Sequence, residues 1–266
     1  MLATDSLARE GVTVRAAPRP IARLILVACA AASMAVGLVT TVVILGAVQP
    51  RATPVPLVFW AAVALGALVT CASLGIRTVR WLFLLRRTPA RVPLRDACIG
   101  YLSGFSLLFV PLLIGETVVR ASVNKSRAGV PLTTTTVVNL WERLLDVAAL
   151  SFVAAVSGSM LGGPAAAILP LTIVAATATK TFRRFMLTVV VRISNAAVRR
   201  VSGGDREGRL EDLAGLASDS AWFAAFAASV AAWVLPAIAL WAIVTSLVGD
   251  FSLTRAQFAY ASSALT

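Results

Sequence analysis

Long apolar runs separated by short, arginine-rich breaks set the pattern of this chain. Residues 1–20 are polar, Arg-bearing and Pro-punctuated, and read as a short cytoplasmic lead. Ile21 to Val48 is apolar and ends at Gln49-Pro50-Arg51. Arg15, Arg19 and Arg23 precede it as they would a signal peptide. The run is far longer than the roughly 7–15 residues of a signal h-region, so a retained first transmembrane helix is expected. A second span is expected over 55–76, continuing helically to Leu85 and the basic loop Arg86-Arg87-Thr88-Pro89-Ala90-Arg91. Next comes a broken apolar region, 96–114, carrying Gly100, Gly104, Pro111 and Gly115, and then a more polar stretch to Arg127.

The pattern then predicts a long helix over 133–158, a tight turn at Gly162-Gly163-Pro164 and an apolar segment over 165–179. Within 181–200, Phe185, Met186, Val189, Val190 and Ile193 recur at near-helical spacing, with Arg183, Arg184 and Arg192 interleaved. That is the pattern of an interfacial amphipathic helix lying on the cytoplasmic leaflet. After Ser202-Gly203-Gly204-Asp205 come a short helix, a span over 220–248 and a last helix from Leu253. From Leu253 to Thr266 the chain makes only ~21 Å of helix against a ~30 Å hydrocarbon core, so the final span reads as truncated.

Composition fixes the class. With 59% hydrophobic residues, 14% charged residues and a mean hydropathy of +0.88, the chain departs from a soluble domain, which is near half apolar and a quarter charged. No long polar block can fold separately. Residues 21–266 are therefore expected to form a single polytopic, all-α membrane domain.

The net charge of +12 changes the picture through its placement. The basic residues sit between apolar spans and read as loops facing anionic headgroups, without the interleaved aromatics of a nucleic-acid module. If the segment from 97 to 128 crossed the membrane once, with the N-terminus inside, 11 basic residues would lie inside and 12 outside, with Arg143 in a span. If it enters, breaks near Pro111–Gly115 and returns, the split becomes 21 inside and 2 outside, Arg51 and Arg255. The positive-inside rule selects a re-entrant hairpin over 97–128 and a multi-pass protein of the cell (plasma or inner) membrane with a cytoplasmic N-terminus. Irregular backbone at membrane depth needs burial in protein or a watery cavity, and Glu116 and Arg120 lie at the edge of that break.

Two charged clusters break the apolar pattern: Glu116 with Arg120, and Glu142-Arg143 with Asp146. A charge at membrane depth costs roughly 2.5–3.5 kcal/mol on insertion scales, so such residues face a cavity, a partner or a substrate. Glu116 and Arg120 are four apart and can pair on one helix. Glu142 and Asp146 share a face and repel in low dielectric unless a cation lies between them, for which Arg120 and Arg80 are the candidates. Arg143 can reach a neighbouring helix. These charges could form a buried network that locks the hairpin onto the 133–158 helix, and an arginine in such a network can also be shared with a lipid phosphate. Arg77, Arg80, Trp81, Arg86 and Arg87 read mainly as an interfacial anchor with an aromatic belt residue, and Arg80 also as a headgroup contact. Asn124 and Asn139 read as helix contacts, and Gly100–Gly104 as a close helix approach.

Histidine is absent, which removes His-based triads and most zinc or haem sites. Cys29, Cys71 and Cys98 are isolated and read as small buried side chains. No cofactor, metal or catalytic residue is assigned.

The order Arg80-Trp81, then Tyr101, Gly104, Pro111, Gly115-Glu116 and Arg120, then Glu142-Arg143 and Asp146, resembles the lysylphosphatidylglycerol synthase transmembrane family. That family includes the flippase half of the bacterial multiple peptide resistance factor. The resemblance covers about 20–260 and implies a helical membrane protein with re-entrant segments that moves or handles a phosphate-bearing lipid. It implies that Glu116, Arg120, Glu142, Arg143 and Asp146 line a central site. Two departures are the absence of a second re-entrant motif with a further Glu and of a soluble aminoacyl-transferase domain.

The leading expectation is a flippase-like transporter of an anionic or polyprenyl-phosphate lipid, with Arg80, Arg120 and Arg143 as phosphate contacts and Glu116, Glu142 and Asp146 balancing charge. An intramembrane transferase using Glu116 or Asp146 as base is the alternative. A scaffold that docks a partner enzyme through the basic 180–209 segment is the third reading.

Overall fold

The computed structural model describes residues 57–104, 114–202 and 208–265. The lead at 1–20, the first span at 21–48 and Pro111 lie outside these. Three helices among the described residues are long and apolar enough to cross a membrane: α1 (Leu57–Leu85), α4 (Leu132–Gly162) and α8 (Asp219–Val248). Between them come α2 (Leu94–Ser103), α3 (Ile114–Ala128), α5 (Ile168–Ala178), α6 (Lys180–Ser202) and the single turn α7 (Leu210–Leu213), with α9 (Leu253–Leu265) last. The chain is a multi-pass, all-α membrane protein.

Local chemistry sets the helix ends. Thr88 donates its hydroxyl to the Leu85 carbonyl and accepts from the Ala90 N–H, closing α1 at the basic loop. Gly129, at φ +66°, ends α3, and Pro131 leads directly into α4. Gly163, at φ +81°, makes the turn that Gly162-Gly163-Pro164 predicts, in a left-handed conformation that glycine adopts at little cost. Ser218 caps α8 by accepting from the Ala221 N–H.

Helix α4 is the central helix. In its most apolar stretch 61% of residues are buried inside the protein, against 17% for α1 and 22% for α8, whose outer faces are left to lipid. Helices α1 and α8 pack along each other through small side chains. A Cβ at Gly66 would stand 3.3 Å from Ile243, and Ser73 donates 2.7 Å to the Ala232 carbonyl. Cys71 is exposed and Cys98 half-buried, contrary to the buried positions expected of them; Cys71 lies about 180° round α1 from the buried Arg80.

Within the expected 97–128 hairpin, the described residues form two helices that pack together. Helices α2 and α3 are antiparallel: Arg127 bonds Asp96 at 2.9 Å, Gly100 lies against Asn124, and Gly104 lies against Arg120. At ~15 and ~22 Å neither helix could span a ~30 Å core. Gly115 sits in the first turn of α3, buried and helical. Around a 370 Å³ cavity lined by Pro89, Arg91, Gly129, Pro131, Arg209 and Asp212, the loops after α1 and α3 and the segment before α7 meet at one end of the bundle. The basic loops are therefore gathered at a common end.

Helix α6 leaves α5 at 81° about Thr179, so the two do not continue as one straight helix. Its protein-facing stripe is Arg183, Leu187, Val191, Ser194 and Val198, all buried. Phe185 and Ile193 are exposed on the outer side, and the exposed Arg184, Arg192 and Arg199 lie on that side too, Arg192 only about 20° round the helix from Phe185. Arg183 is a correction to the expected pattern: it faces inward, where its guanidinium pairs with Asp219 and lies 5.4 Å from the Trp222 ring.

Candidate functional site

Six charged side chains from three helices close into a ring of alternating sign. Arg80 of α1 bonds Glu142 at 2.6 Å and Asp146 at 2.5 Å, and so neutralises the two carboxylates that α4 places on one face. Glu142 holds Arg120 of α3 at 3.1 Å with its other oxygen. Arg120 pairs with Glu116 one turn earlier on α3. Glu116 in turn takes Arg143 at 2.6 Å, and Arg143 returns to Asp146 at 3.4 Å. Every carboxylate thus contacts two guanidiniums and every guanidinium two carboxylates, and the ring is neutral.

Burial separates the members. Arg80, Arg120, Glu116, Glu142 and Asp146 are buried, whereas the Arg143 side chain is 33% exposed. Pairing of this density is what a low-dielectric site demands, because a buried charge without a partner costs several kcal/mol. Arg143 is the ring's accessible cation.

The surroundings orient the ring. Asn139, one turn before Glu142 and Arg143 on α4, accepts from the Trp81 indole at 3.1 Å and from Arg120 at 3.3 Å. Trp81 is therefore no belt residue: it is fully buried, because it follows Arg80 on the stripe of α1 that faces α4. Tyr101 of α2 supports Arg120 with its ring, 3.9 Å from the guanidinium carbon. Gly104 lets Arg120 lie flat against α2, since a Cβ there would fall 2.6 Å from Nε.

Helix α8 contributes two neutral groups that the sequence does not announce. Ser229 accepts from Arg80, and Trp233 donates its indole N–H to Asp146 at 2.9 Å. They are four apart and face α4, but in a helix apolar on all sides no periodicity marks them out. Arg77 of α1 lies with its guanidinium 3.9 Å above the Trp233 ring. An apolar groove of about 540 Å³ between α1 and α8, floored by Gly75, Ile76, Val79, Phe83 and Ala225, has Arg80 as its one charged lining residue.

The structure thus brings together Arg80, Arg120, Arg143, Glu116, Glu142 and Asp146. Among the described residues, no group of three or more Asp, Glu or Cys is placed to hold a metal ion.

A family model described as lysylphosphatidylglycerol synthase TM region matches residues 25–265. No curated protein and no solved structure matches the chain.

Proposed function

The chain belongs to the lysylphosphatidylglycerol synthase transmembrane family, and from that premise we propose a flippase-like transporter whose charge ring receives the phosphate of an anionic or polyprenyl-phosphate lipid. The observation that carries this reading is the partly exposed Arg143 in an otherwise buried, fully paired ring.

The chemistry of exchange favours Arg143 as the receiving group. Its contact with Asp146, at 3.4 Å, is the longest in the ring. When Arg143 turns to a phosphate, Asp146 keeps Arg80 at 2.5 Å and the Trp233 N–H at 2.9 Å, so no buried carboxylate is left alone. Guanidinium offers a phosphate two parallel N–H donors. Arg80 and Arg120 hold the ring together around that exchange. The basic end of the bundle faces the cytoplasm under the positive-inside rule, which places α6 on the inner leaflet.

The carboxylates fit transport better than transferase chemistry. A general base needs a carboxylate free to take a proton, and each one here is already ion-paired with two guanidiniums.

Reconstitution in liposomes with a headgroup-labelled anionic lipid tests the proposal. The wild type should move label across the bilayer without changing lipid mass. Arg143→Gln should slow that movement about tenfold or more, the loss of a charge-assisted hydrogen bond worth ~1.5–3 kcal/mol. A new lipid product, or no movement by the wild type, would contradict it.

A further inference from the structure

Arg77 stands outside the ring's balance. The three ring arginines are matched by the three carboxylates, and among the described residues no carboxylate pairs with Arg77. Its guanidinium lies instead 3.9 Å from the centre of the Trp233 ring. Trp233 falls near the middle of α8, and Asp146, which it holds, near the middle of α4. A cation at that depth without an anion costs more than stacking on one aromatic face returns. Unlike Arg80 and Arg120, Arg77 is only partly buried, so a ligand can reach it.

We infer that Arg77, stacked on Trp233, is a second phosphate contact, taking the oxyanion of the lipid headgroup that the ring handles; this rests on the transport reading above. The two accessible cations, Arg77 and Arg143, flank one carboxylate. Arg143 bonds Asp146 directly, and Arg77 rests on the indole whose N–H bonds the same group. Binding at either cation is thereby felt at Asp146. Among the described residues no group takes the N–H donors of Arg77, which are left for the ligand, and Tyr260 of α9, its ring 6.1 Å from that of Trp233, borders the same place.

The test compares wild type, Arg77→Gln and Arg77→Lys in detergent, titrated with short-chain phosphatidylglycerol and, separately, with inorganic phosphate, reading melting temperature. Ligand-free Arg77→Gln should melt no lower than wild type, because it removes an unmatched charge. Its apparent affinity for phosphatidylglycerol should fall about tenfold or more, and Arg77→Lys should recover part of it. Inorganic phosphate should shift the wild type little. Equal affinity in wild type and Arg77→Gln, a ligand-free Arg77→Gln that melts well below wild type while Arg77→Lys does not, or an inorganic phosphate shift as large as the lipid's would each overturn the inference. In liposomes, an active wild type with an equally active Arg77→Gln would overturn the Arg77 assignment and leave the transport reading intact, whereas an inactive wild type would remove that reading itself.

Discussion

Asp146 receives Arg80 at 2.5 Å, Arg143 at 3.4 Å and the Trp233 N–H at 2.9 Å, the most crowded coordination in the ring. Arg80 is the residue on which this depends, since it alone neutralises both Glu142 and Asp146. Arg80→Met should therefore cost about 3–5 kcal/mol, the range for stripping one partner from a buried ion pair. Denaturation in detergent or bicelles measures this directly, and a loss below ~1 kcal/mol would mean that water reaches the ring. The ionic members were legible in the sequence because a charge in an apolar helix is costly and must have a partner, whether it braces the fold or meets a substrate. The neutral members were not: Ser229 and Trp233 are ordinary in a membrane helix, and Trp81 beside an arginine at a helix end imitates a belt residue.

At the scale of elements, the hairpin is what carries Glu116 and Arg120 to α4. Its antiparallel packing rests on Gly100 and Gly104, whose missing Cβ atoms make room for Asn124 and Arg120. Gly104→Ala should push α2 from α3 and displace Arg120 from Tyr101, at about 1–3 kcal/mol for overpacking. The same thermal assay should show Gly104→Ala less stable than Gly75→Ala, where a Cβ meets open space. Counting basic residues was enough to predict the return of this segment, because membrane topology leaves its trace in loop charge. The inner face of α6 was misread at Arg183, since a buried arginine paired with the distant Asp219 looks, in sequence, like one more basic surface residue.

For the whole molecule, the long spans follow from hydropathy, and the gathering of basic loops at one end follows from the hairpin. What sequence could not supply is closure: that three helices bring six charges into a ring with equal numbers of each sign is a property of packing between segments far apart in the chain. A ring so balanced could brace the fold alone. The double variant Glu116→Gln/Arg143→Gln separates bracing from transport, because it removes one charge of each sign and leaves Arg80, Arg120, Glu142 and Asp146 matched. Measured together in proteoliposomes, lipid movement by this variant should fall about tenfold or more while its melting temperature stays close to that of the wild type. Wild-type rates of lipid movement in the double variant would contradict the account and reduce the ring to a brace.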